Sequence, residues 1–106
     1  MTSDFITRLR AQLGGPRDGA LLRHSLGSAL LAQGDTAGAV VALREALEFD
    51  PRYSAAWKLL GRALAQAGDV PAAIDAWERG IAVAHERGDV QAAKEMGVFL
   101  RRLRAT

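Results

Sequence analysis

No cysteine occurs in the chain. Disulfides, thiolate nucleophiles and cysteine-based metal sites are therefore excluded. Histidine is confined to His24 and His85, far apart in sequence. No metal-ligand cluster, Gly-rich phosphate loop or nucleophile motif accompanies them, so no metal, no cofactor and no catalytic residue is expected. Proline is scarce, with 3 residues, and only 2 of the 14 basic residues are Lys, at positions 58 and 94. No apolar run approaches the ~20 residues needed to span a bilayer, and no membrane partner is expected. The N-terminal stretch has an early Asp4 and no long apolar core. It does not fit a secretory leader, which makes the cytoplasm the expected compartment.

What is present is apolar and helix-forming. Hydrophobic residues make up 49% of the 106 residues and charged ones 25%, the balance of a soluble globular chain of one domain. Abundant Ala favours helix throughout. The formal net charge of +2 with a pI near 9.7 is too weak to imply nucleic acid by itself.

Apolar residues recur at helical spacing in six stretches, and no strand-period segment of useful length interrupts them. A first helix is predicted over 4–13, capped by Ser3, with Phe5, Ile6, Leu9 and Leu13 on its buried face. Gly14-Gly15-Pro16 stops it, and Asp18 is placed to cap a second helix over 19–33. Gly34-Asp35 follows: Gly supplies a left-handed residue past one helix, and Asp accepts the free amides of the next. The third helix, 36–49, ends at Asp50-Pro51, and Ser54 is expected to cap a fourth over 54–67. Gly68-Asp69 and Gly88-Asp89 repeat the turn on either side of a fifth helix, which accommodates Pro71 in its first turn. A sixth helix runs from Val90 to about Arg104, its basic end suited to the negative pole of the helix dipole.

Gly34-Asp35 recurs as Gly68-Asp69, 34 residues on. The same step carries Leu26-Gly27 onto Leu60-Gly61, Leu30 onto Leu64, Ala39 onto Ala73, Leu43 onto Trp77 and Leu47 onto Ile81. Gly27 and Gly61 fall mid-helix, where Gly costs about 1 kcal/mol against Ala, a cost usually tolerated where another helix comes close. Ala39, Ala46 and Ala73 are small residues facing that approach, Gly80 takes the place matching Ala46, and Trp57 and Trp77 are large wedges between helices.

A helix–turn–helix unit with this period resembles the tetratricopeptide repeat, whose pattern is W-x2-L-G-x2-Y, then A-x3-F, then P. The second unit offers Trp57, Leu60, Gly61, Leu64, Ala73 and Trp77; the first offers Leu26, Gly27, Leu30, Ala39, Leu43 and Pro51. Arg23 stands where the pattern has Trp, Leu30 and Leu64 replace Tyr, and His85 stands where it has Pro. The missing Pro predicts a fifth helix running on to about Arg87. The resemblance implies an all-α, right-handed array of antiparallel helix pairs, six helices in one domain over 1–106: a cap helix at 3–14, repeats at 20–53 and 54–87, and a capping helix at 89–104 that looks like the first helix of a third unit.

The family implies function as well. Its members commonly bind partners on the concave face lined by the first helix of each unit. That face would carry Leu21, His24, Ser28 and Leu31, then Ala55, Lys58, Arg62 and Ala65, then Asp89, Ala92, Met96 and Phe99. Lys58 and Arg62, four apart, stack on one helical face and fit an acidic side chain or C-terminal carboxylate, though an ordinary solvated face looks the same. Met96 and Phe99 would form an apolar floor or pack in the core. Members that grip a C-terminal carboxylate use Lys, Asn and Arg spread over three units. Here those places hold His24, Ser28, Leu59, Asp89 and Ala93, so chaperone-tail recognition is not implied. Arg101, Arg102 and Arg104 offer phosphates only a small, salt-sensitive attraction. The Gly-Asp of Arg87-Gly88-Asp89 is explained by its turn.

The function expected is therefore a non-enzymatic interaction module, an adaptor or accessory subunit binding an unidentified protein or peptide of acidic character. The groove assigned to it is Leu21, His24, Ser28, Leu31, Lys58, Arg62 and Met96. One rival is a self-associating module whose groove or end helix packs on a second copy, giving a homo-oligomer. The other, less favoured, is a weak nucleic-acid binder. Two units alone are marginal, because such arrays generally need about three to bury a continuous core. Deleting residues 90–106 should therefore unfold or aggregate the protein; a truncated chain that stays monomeric and melts cooperatively would contradict this.

Overall fold

The turns explain the architecture. Gly34, Gly68 and Gly88 have φ of 88°, 84° and 73°, the left-handed region that a side chain resists. At each, the glycine N–H and the following Asp N–H donate back into the helix just ended. Gly34 reaches the Leu31 carbonyl at 3.0 Å and Asp35 that of Leu30 at 2.9 Å; Asp69 reaches Leu64 at 2.9 Å and Asp89 reaches Ala84 at 2.8 Å. The Asp carboxylates then accept from the first turn of the next helix, at Gly38, Ala72 and Ala92. Two residues thus satisfy the loose ends of two helices and reverse the chain.

A computed structural model describes residues 2–106, with side chains from Asp4 onward. Among them lie six helices and no strand: α1 (Thr2–Ala11), α2 (Ala20–Ala32), α3 (Thr36–Phe49), α4 (Ser54–Gln66), α5 (Val70–Arg87) and α6 (Val90–Ala105). α5 reaches Arg87, as the loss of Pro at position 85 predicts. Three caps differ from expectation. The cap assigned to Ser3 lies outside the described side chains, and α1 already begins at Thr2. Gly19, without a side-chain bond, precedes α2 in place of Asp18. Ser54 is the first residue inside α4, only 4% exposed, and donates to Asp89 Oδ2 at 2.9 Å instead of capping.

Each helix packs antiparallel on the next, and α2 also meets α4 and α4 meets α6. Among the described residues α3 and α5 make no such approach. The array therefore bends toward α2, α4 and α6, which line its concave side. On the convex side the splay leaves a cleft of about 370 Å³ between α3 and α5, reaching Trp57 and Leu60.

The core is built from small residues. Ala39, Ala46, Ala56, Ala63, Ala73 and Ala84 are all 0% exposed, which brings backbones close. Larger side chains fill the places that glycine opens. Gly27 is covered by Leu43: a Cβ there would lie 2.6 Å from Leu43 Cγ. Gly61 is covered by the Trp77 indole, and Gly80 by Met96 Sδ and Trp57 Cβ. Without a side chain at 61, Trp77 Nε1 reaches the Lys58 carbonyl and donates to it at 3.0 Å. Trp57, half-buried, donates its Nε1 to the Pro51 carbonyl at 2.8 Å, so both indole N–H groups keep a partner.

In a solvated helix Gly→Ala would gain about 1 kcal/mol. Gly61→Ala should instead destabilise the protein by about 1–3 kcal/mol, because the added methyl forces Trp77 out and breaks its bond to Lys58. Urea denaturation checks this, and a midpoint equal to or above wild type would contradict it.

Candidate functional site

The expected groove residues divide when placed on the fold. Leu21 is 69% exposed, and Ser28 and Arg62 are also exposed. His24 is half-buried and stacks on Tyr53, ring centroids 5.1 Å apart. Leu31 is half-buried against the core, with its carbonyl engaged in the turn at Gly34. Lys58 is half-buried and paired across the groove with Glu95 of α6 at 3.0 Å. It is therefore a compensated charge, whereas Arg62 makes no ion pair among the described residues.

Met96 corrects the expectation. It is 0% exposed, wedged over Gly80 in the core cluster of Trp77, Ala84 and Leu100. A fully enclosed side chain cannot contact a partner. Its period-3.6 neighbours made it look like part of a face, but that face turns inward onto α5. Ala92, placed on the same face, is buried at 6%. Asp89 is occupied by Ser54 and by capping α6; the Ser54 hydrogen bond chiefly holds its carboxyl below the usual range. Phe99 is half-buried and tilted on Trp77, centroids 5.5 Å apart.

The structure also assembles groups that sequence reasoning missed. Phe5, expected on the buried face of α1, is 44% exposed. With His24, Ser25, Ser28, Ala29 and Ala32 it lines a hollow of about 430 Å³. Ile6 and Leu9 hold the helix to the core instead, at 3% and 8%. Arg23, in the place of the family's Trp, bonds Asp18 through Nε at 2.9 Å and Nη2 at 2.7 Å, reaches Glu45 at 3.0 Å and lies 5.6 Å over the Phe49 ring. Asp18 also accepts from the Gly14 N–H at 2.8 Å. The Arg23 bond, then the Gly14 bond, holds the Asp18 carboxyl well below the usual range, and the same pair raises Arg23. A five-residue Asp–Arg spacing offered no signal for this, because the loop before α2 sets the geometry.

In class this is an array of helix pairs with a concave inner face and no strand among the described residues, a scaffold for presenting surface. The comparisons name the class: residues 30–96 match the tetratricopeptide repeat family. A TPR repeat-containing protein of Pseudomonas aeruginosa is 50% identical over 99 residues, covering 93% of this chain and 94% of that protein. The chain belongs to the tetratricopeptide repeat family. The solution structure of a Bordetella parapertussis protein is similar at 47% identity and a TM-score of 0.83, covering 94% of this chain and 87% of the other. A tetratricopeptide repeat domain protein of Salinibacter ruber, solved in solution, has 26% identity and a TM-score of 0.75 over 83% of this chain and 88% of its own. Proteins of this family are generally non-catalytic interaction modules. Among the described residues no helix is long and apolar enough to cross a membrane.

The burial of His24 predicts that fold stability depends on pH. Burial pushes its pKa below the usual 6.5 and nearby Lys58 pushes the same way, against a backbone contact with Ala55. The unfolded chain then takes up a proton near pH 6.5 that the fold resists, so stability falls as pH drops through that region. The urea midpoint should decline from pH 7.5 to 5, and His24→Gln should flatten the decline. An unchanged slope in the variant would contradict it.

Proposed function

We infer that the chain is a non-catalytic adaptor or accessory subunit that receives a short peptide or helix on its concave face. The observation that carries this reading is the hollow of about 430 Å³ between α1 and α2. Its apolar floor of Phe5, Ala29 and Ala32 is edged by His24, Ser25 and Ser28. Such a site holds one apolar side chain and hydrogen-bonds the backbone beside it. Leu21, strongly exposed on α2, adds apolar area.

An acidic group on the partner would meet Arg62 first. Lys58 joins only by exchanging Glu95 for the incoming carboxylate, so the Glu95 pair discriminates against weakly acidic sequences. In this reading units 20–53 and 54–87 form the scaffold, α1 completes the hollow, and α6 supplies Glu95. The protein works in the cytoplasm.

The test compares wild type with Ser28→Tyr, which fills the hollow, and Arg62→Glu, which reverses the free charge. Each is used as bait in native lysate with quantitative mass spectrometry. Partners retained by wild type should fall about tenfold with either substitution, about 1.4 kcal/mol of binding energy. The same partners at the same level on both variants would refute the concave-face reading.

A further inference from the structure

We propose that the outer face of α6 is a second docking surface, which takes an acidic amphipathic helix of a partner in the position a paired helix would occupy.

The repeat register identifies the position. Leu26, Leu60 and Met96 are buried at matching places, at 4%, 1% and 0%, as are Leu30, Leu64 and Leu100. The step from the second unit to α6 is 36 residues instead of 34, because α5 has 18 residues against 14 in α3 while the connection after it is shorter. By this register Gly97 corresponds to Gly27 and Gly61. In the first two units that glycine is buried beneath a large side chain of the following helix, Leu43 and Trp77. At Gly97 a Cβ would meet only Arg101 Nη1, at 3.6 Å, and the residue is half-buried. The receiving place is built, and only the flexible end of the Arg101 side chain reaches it.

The surroundings state what fits. A hollow of about 380 Å³ has Gly97 in its floor with Val90, Ala93 and Val98, and Val90 is 54% exposed. Its rim is His85, Lys94 and Arg101, and no Asp or Glu lines it. Shape calls for a helix presenting Leu or an aromatic side chain, the residues received at Gly27 and Gly61. Charge calls for carboxylates flanking that side chain. A second copy of this chain fits less well. The chain carries a formal +2, and its exposed Phe5 and Val41 each have an Arg three residues on, at 8 and 44; its exposed Phe49 has Glu45 and Glu48 beside it but already holds the Arg23 guanidinium 5.6 Å over its ring. This surface is distinct from the concave hollow and does not depend on it.

The probe is a fluorescein-labelled peptide with the α5 sequence, residues 70–87, in which Arg79→Glu, His85→Glu and Arg87→Glu make it acidic and Trp77 is kept as the inserted side chain. Polarisation against the protein of residues 1–106 should show saturable binding in the micromolar range. Trp77→Ala in the peptide should weaken it by about tenfold or more, and so should Gly97→Leu or Lys94→Glu/Arg101→Glu in the protein. The open space at Gly97 lets Gly97→Leu fold, which its helical circular dichroism and thermal midpoint check. The proposal is overturned by no saturation up to about 1 mM, or by binding indifferent to Gly97→Leu. It is also overturned by a concentration-dependent dimer of wild type that Gly97→Leu abolishes, because the occupant is then a second copy. Peptide binding lost with Ser28→Tyr but kept with Gly97→Leu would place the peptide on the concave face, overturning this inference while supporting the other.

Discussion

The fit of one helix's large side chain into another's missing one organises this protein. Trp77 lies where Gly61 has no side chain, and its indole reaches through to the Lys58 carbonyl. Leu43 does the same over Gly27 without the polar contact. Each contact sets how closely the two helices of a unit approach. The fully buried alanines around them, from Ala39 to Ala84, are small because that approach is close. Dispersion across such short distances substitutes for the broad aromatic core that a chain with 6% aromatics lacks.

Between units the coupling is more polar. Gly80 accepts Met96, but α4 and α6 are also tied by the Ser54–Asp89 hydrogen bond and the Lys58–Glu95 pair. Arg87 adds a bond to the Arg52 carbonyl at 2.7 Å. At the N-terminal end, Arg23 occupies the place of a packing Trp and works by charge: Asp18 and Glu45 hold its guanidinium while Phe49 lies beneath it. A planar, multidentate cation covers the apolar ring at its place and keeps its donors satisfied. Arg23 thereby adds contacts that salt weakens to an end also packed by Ile6, Leu9 and Leu43.

These ties also shape the surfaces. By engaging Lys58, Glu95 leaves Arg62 as the open cation of the concave face. Phe5 joins the N-terminal hollow because Ile6 and Leu9 suffice to anchor α1. At the far end α6 covers Trp77 with one side and leaves Gly97 open on the other. The two ends of the array consequently offer different chemistry: a half-polar hollow at one and a cation-rimmed apolar socket at the other.

Helix order, the three Gly-Asp turns, the end of α5 at Arg87 and the close approaches at Gly27 and Gly61 were legible in the chain itself. They rest on hydrogen bonds between near neighbours or on a 34-residue spacing that repeats. Only the tertiary structure decided that Met96 is enclosed, that Phe5 is exposed, that Ser54 serves Asp89 and that Lys58 is neutralised by Glu95. The last two pairs, Ser54–Asp89 and Lys58–Glu95, lie 35 and 37 residues apart. Whether their atoms meet depends on the angle between helices and on the two extra residues in the last step of the repeat. Periodicity reports that a side chain lies on a face; the packing of the next helix determines whether that face meets solvent or core.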